Sequence, residues 1–217
     1  MIIAGEADLA GVLDALRAHR PVFHSEADFQ HAFAWEVQRA APQARVRLET
    51  RPVAGVRLDL LVTAADGTTS SAIELKYLTR AWSGEVGAER FELMSQGAQD
   101  IRAYDVVKDV SRVEHDVAVL PKCNGAVLCL TNDPSYWARP SHDRETNAAM
   151  FRLYEGRRLQ GDCRWGPLTG AGTMKGREQA IRLTGTYDLR WQDWARVPGA
   201  AGTFRMLVVE VGAADSG

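Results

Sequence analysis

The sequence predicts an α/β domain, with a mixed sheet flanked by helices and an antiparallel β extension at its C-terminal end. Three observations predict it. First, the pair Asp66-Gly67 lies between two apolar runs, Arg57–Val62 and Ala72–Tyr77, and Asp-Gly between such runs is a strong hairpin signal. Second, helix-period stretches lie before and after this hairpin, and a continuous apolar run, Gly125–Thr131, follows the second of them, as expected of a buried strand. Third, strict alternation returns between Ile181 and Gln192.

Taken in order, Glu6–His19 reads as a short helix with Leu9, Val12, Leu13 and Leu16 at helical spacing, closed by Pro21. A second helix, over 25–40, starts at Ser25, which forms a capping pair with Asp28. Phe29, Phe33 and Val37 form its buried stripe, and Glu26 and Glu36 fall on the same stripe. Val46–Thr50 is the first strand, with Arg51-Pro52 as a break. The hairpin supplies strands two and three, near 56–63 and 71–77. Gly84 and Gly87 mark a loop, and a long helix is expected from Ala88 to Val117, with Phe91, Met94, Ala98, Ile101, Val110, Val113 and Val117 on its apolar side. On its polar side, Gln99 and Arg102 are candidates to reach a phosphate. The strand Gly125–Thr131 completes this core. Beyond Asn132, a short helix is expected over Asn147–Tyr154 and a Gly-rich loop over Gly161–Gly176. A long strand over 181–192, bent at Gly185, should pair with Phe204–Val211. The whole is read as one domain, 1–217, with a core at 22–131 and a β-rich extension at 132–217.

The hairpin places its own polar residues. If Asp66-Gly67 is a two-residue loop, Asp59 faces Glu74 and Arg57 faces Lys76. Side chains alternate along a strand, so these four share one face while Leu58, Leu60, Ile73 and Leu75 share the apolar one. Carboxylates directly opposite each other repel, and a divalent cation between them removes the conflict. Hard ions such as Mg²⁺ take one or two carboxylates, with water and phosphate completing the shell. The competing reading is a solvated charged face neutralised by Arg57 and Lys76.

At Asp59, Glu74, Leu75 and Lys76 the sequence resembles the PD-(D/E)XK nuclease superfamily, whose signature is an acidic residue on one strand and Glu/Asp-x-Lys on the next. Leu58 stands where the proline of the name would be. The resemblance covers about residues 22–131 and implies a restriction-endonuclease-like core of order αβββαβ. It also implies that Asp59, Glu74 and the Leu75 carbonyl hold Mg²⁺, or Mn²⁺ in its place. Lys76 would stabilise charge in the transition state, and Glu26, or Glu36 instead, would add a carboxylate from the first core helix. The function implied is metal-dependent hydrolysis of nucleic acid, DNA before RNA. The alternative is a non-catalytic nucleic-acid- or protein-binding module on the same fold.

Composition sets the remaining bounds. The hydrophobic content of 46% and charged content of 25% are ordinary globular values. No apolar run is long enough to span a membrane, and no secretory signal is visible. Cys123, Cys129 and Cys163 have no paired spacing, which points away from zinc and disulfides and towards a reducing, cytoplasmic setting. Net charge is −2 overall, but residues 1–138 carry −5 and residues 139–205 carry +5. Lys175, Arg177, Arg182 and Arg190 are the candidates to track a phosphate backbone. A homodimer is compatible with all of this.

Overall fold

The computed structural model describes residues 1–53, 56–141 and 145–212; the acidic tail residue Asp215 lies outside them. A two-stranded ribbon, β1 (Ile2–Ile3) and β2 (Ala7–Asp8), leads into α1 (Leu9–His19) and α2 (Glu26–Ala40). Ser25 caps α2 by accepting the Asp28 N–H at 3.1 Å, and Phe29, Phe33 and Val37 are fully buried. Truncating either phenylalanine to alanine should cost about 3–5 kcal/mol.

Strands β3 (Arg45–Val53), β4 (Val56–Thr63) and β5 (Ser70–Leu78) form a meander. Pro52 falls inside β3 and does not break it. This is tolerable because β3 is an edge strand. The β4–β5 register is the one expected from the turn, with Thr63 opposite Ser70 and Leu60 opposite Ile73. The connecting loop is longer than two residues, however. The Ala64 N–H donates to the Thr69 carbonyl, Gly67 takes a φ of +74°, and Asp66 Oδ1 accepts the Thr68 N–H at 2.8 Å.

The helix expected over 88–117 is the largest correction. Residues 82–93 form a hairpin, β6 (Trp82–Val86) and β7 (Glu89–Leu93), turning at Gly87, and α3 runs only from Gln99 to Val119. Phe91 packs in the hairpin, in stacked contact with His24 at 4.4 Å, and Met94 is exposed. The helical spacing of Phe91, Met94 and Ala98 was coincidental; burial of Trp82, Phe91 and Leu93 against the core decides the local structure.

Strand β8 (Cys123–Thr131) runs parallel to β5. Then come β9 (Arg158–Cys163), a one-turn α4 (Ala171–Met174), β10 (Ile181–Asp188), β11 (Trp191–Arg196) and β12 (Thr203–Val211). The short helix expected at 147–154 shrinks to a 3-10 turn at Ala149–Phe151. The long strand expected over 181–192 is two strands in different sheets. β10 pairs with β9, which takes the start of the expected loop, and β11 pairs with β12. β12 then joins β8 antiparallel, so the C-terminal extension continues the main sheet.

The result is α/β, with a mixed six-stranded sheet in the order β11-β12-β8-β5-β4-β3. One face carries α1, α2 and the β6–β7 hairpin over Leu60, Val62, Ile73, Leu75, Tyr77 and Leu128. The other carries α3 over Ala72, Val127, Cys129 and Leu207. The β9–β10 pair covers the far side of α3, so that helix is enclosed on two sides. Among the described residues, no helix is long and apolar enough to cross a membrane.

Candidate active site

The β4–β5 ladder stops at Leu60–Ile73. The next pair would be Asp59 and Glu74, two carboxyl groups face to face, an unfavourable pairing when both are ionised. Past it, β5 has backbone groups with no strand partner, and side chains from three elements take them. Asp59 Oδ2 accepts the Leu75 N–H at 2.9 Å. Glu26 Oε2, from the first turn of α2, accepts the Tyr77 N–H at 3.0 Å. Gln96 Nε2 donates to the Tyr77 carbonyl at 3.1 Å. Buried backbone groups demand partners, so the fork draws Asp59 and Glu26 to β5.

The strand entering the fork is twisted. The β3–β4 register shifts between Thr50 and Val53, and Glu49 sits at a φ of +54°. This corrects two expectations. Leu58 packs with α3 in the second core and not beside Leu60. Arg57 does not face Lys76; it pairs with Glu49.

Glu74 and Lys76 leave β5 towards α3. Glu74 is 1% exposed, and its Oε1 lies 3.1 Å from Arg112 Nη2. That contact is an ion pair without hydrogen-bond alignment, so Oε1 remains a buried acceptor with no hydrogen bond. The Lys76 ammonium lies 2.8 Å from Asp109 Oδ2 and donates to the Leu75 carbonyl at 3.2 Å. Asp109 Oδ1 accepts from Arg112 Nη1 at 3.1 Å, closing a chain Lys76–Asp109–Arg112–Glu74.

Burial dominates the electrostatics. It pushes the Glu74 carboxyl up to about 10, aided by the charges of Asp109 and Asp59 and opposed by Arg112. It raises Asp109 and Glu26 as well, each against the pull of Lys76. Glu26 is an exposed residue, but its carboxylate tip reaches in beside β5. Burial alone would lower Lys76; Asp109, Glu26 and Asp59 outweigh it and hold the ammonium charged, above its ordinary range.

Asp59, Glu74, Lys76 and Glu26 are thus brought together, with Leu75 contributing backbone. Glu36 is not: it pairs with Arg39 at 3.1 Å, and it lines a cleft with Asp8 of β2 and Gly11 of α1. The basic candidates are not drawn in either. Arg177 lies over the Tyr104 ring, Arg182 and Arg190 contact Asp162 and Glu155, and Lys175 sits by α4. Gln99 reaches Asp133 at 3.5 Å and Arg102 reaches Asp105 at 4.0 Å. Asp109, Arg112 and Gln96 are the site residues that sequence reasoning missed.

The donor set suits a hard divalent cation in part. Four carboxylates (Glu26, Asp59, Glu74, Asp109) face two cations (Lys76, Arg112), and Glu74 Oε1 is a buried acceptor in need of a partner. Among the described residues no three His, Cys, Asp or Glu side chains gather as a ready ligand cage, but Mg²⁺ keeps several waters and needs only one or two carboxylates. Comparisons with protein-family models, with curated proteins and with solved structures return no match, so the chemistry of the site rests on its own residues.

Proposed function

We propose that the chain is a metal-dependent nuclease of the PD-(D/E)XK type, hydrolysing phosphodiester bonds of nucleic acid, with DNA the substrate to expect before RNA. The observation that carries this reading is the fork. Asp59, Glu74 and Lys76, the three residues of the motif, meet where β4 and β5 separate, and Glu26 joins them from α2. Asp59 and Glu74 would hold Mg²⁺ or Mn²⁺, which when bound polarises the scissile phosphate and lowers the pKa of a water.

Lys76, kept charged by its carboxylate neighbours, is suited to stabilise negative charge developing on the phosphorus-bound oxygens rather than to act as a base. The Leu75 carbonyl, a candidate ligand by resemblance, is engaged by Lys76, so the side chains of Asp59 and Glu74 are the stronger candidates.

One observation favours the second reading, a binding module without catalysis. The contacts Lys76–Asp109 and Glu74–Arg112 give both residues opposite charges without any ion. A cleavage assay decides between the two. Plasmid, single-stranded DNA and RNA are incubated side by side with Mg²⁺, with Mn²⁺ and with EDTA, using wild type and Asp59→Asn. Metal-dependent cutting that Asp59→Asn abolishes supports the nuclease. Nucleic-acid binding with no cutting by wild type in any metal supports the module.

A further inference from the structure

Glu74 and Lys76 stand two residues apart on β5, so both side chains leave the same face. Left to themselves, a buried carboxylate and a neighbouring ammonium pair with each other. Here they do not. Among the described residues, neither an ion pair nor a hydrogen bond joins Lys76 to Glu74 or to Asp59. Lys76 goes to Asp109 and Glu74 goes to Arg112. Asp109 and Arg112 are one turn apart on the same face of α3 and bind each other at 3.1 Å. The Asp109 side chain is only 5% exposed and that of Arg112 29%, so both are held in place by packing rather than left to sample solvent.

We propose that Asp109 is a positioning residue that draws the Lys76 ammonium away from Glu74 and leaves the Asp59–Glu74 pair to a divalent cation, with Arg112 bracing Asp109 at 3.1 Å. The inference rests on the nuclease reading, in which that pair takes the metal. Asp109 anchors the ammonium beside the Leu75 carbonyl, where it remains next to the reacting centre without neutralising the ligands. Arg112 braces Asp109, and as a cation 3.1 Å from Glu74 Oε1 it is the contact a bound metal would displace. Partners in this outer layer govern how well the inner ligands bind a metal.

Metal binding, read without cleavage, tests the idea. Mg²⁺ and Mn²⁺ are titrated separately into full-length protein by calorimetry at pH 7, with melting curves to check folding. Asp109→Asn should weaken binding about tenfold or more, within the range typical of outer-layer residues. The freed Lys76 ammonium would then compete with the metal. Adding Lys76→Met to Asp109→Asn should therefore recover most of the loss, because the competitor is gone. Asp109→Glu should recover part of it. A purely structural role predicts instead that the two substitutions add their damage. If Asp109→Asn fails to fold, the same cycle is run with Asp109→Ser and Lys76→Met, and recovery is expected there too. Metal binding that Asp109→Asn leaves at the wild-type level, or a loss that Lys76→Met does not recover, overturns the positioning role and leaves the metal site standing. A wild type that binds neither ion overturns the metal reading, and this inference with it.

Discussion

Asp59 accepts the Leu75 N–H at 2.9 Å, and its charge is one of those that raise Glu74, so removing it has two opposing effects. Asp59→Ala relieves repulsion but leaves a buried N–H without a partner, a loss of about 1–3 kcal/mol. Asp59→Asn keeps an oxygen for that N–H and removes only the charge. In EDTA, Asp59→Ala should therefore melt below Asp59→Asn, and on the nuclease reading neither should cleave; thermal melts beside the cleavage assay check this. Glu74 gives a pH dependence whose sign is fixed. Its folded carboxyl is raised from the ordinary 4.5 to about 10, so between those values the folded state holds a proton that the unfolded state has released. The contribution of Glu74 to stability in EDTA is then fully present at and below the ordinary carboxylate range and is lost as pH climbs towards 10. Denaturant unfolding at several pH values should show that slope, and Glu74→Gln should flatten it. Asp59, Glu74 and Lys76 were legible in the sequence because strand alternation and the turn at Gly67 fix their geometry locally. Asp109 and Arg112 were not, because on a helix read alone every polar residue looks solvated.

The elements repeat this lesson. Strands β4, β5 and β8 and helix α2 follow from periodicity and capping, which are local signals. The β6–β7 hairpin does not, because Phe91 and Met94 imitate helical spacing and only the core contact of Trp82 distinguishes it. The enclosure of α3 is likewise invisible locally, since it depends on β10 arriving from about seventy residues away. Glu114 makes that connection. It is 8% exposed, and it accepts the N–H groups of Thr184 and Gly185 and the Tyr187 hydroxyl, spanning the register shift between Leu183 and Thr186. Glu114→Ala should cost about 2–3 kcal/mol or more, since hydrogen bonds to a charged group are individually strong. Chemical denaturation measures it; a loss within about 0.5 kcal/mol would mean that β10 holds without this tie.

Across the molecule, everything converges on β8. It is flanked by β5 and β12 and buried over Ala126–Leu130. Its amides should be the slowest to exchange with deuterium, and those of the edge strand β3 among the fastest of the sheet. Gly125 lets α3 approach this strand closely. A Cβ there would lie 2.3 Å from Val113 Cγ1 and 2.7 Å from the Ala72 carbonyl. Gly125→Ala should thus destabilise by about 1–3 kcal/mol and push back the helix that carries Asp109 and Arg112; on the nuclease reading Mg²⁺ binding then weakens although no site residue is touched, and calorimetry on the folded variant reads this out. The surplus of carboxylates at the fork also has a consequence for selection. A variant library screened for heat resistance alone, in the presence of a chelator, should be enriched early in neutral residues at Asp59 and Glu74, and on the nuclease reading the survivors would be sturdier proteins unable to cut.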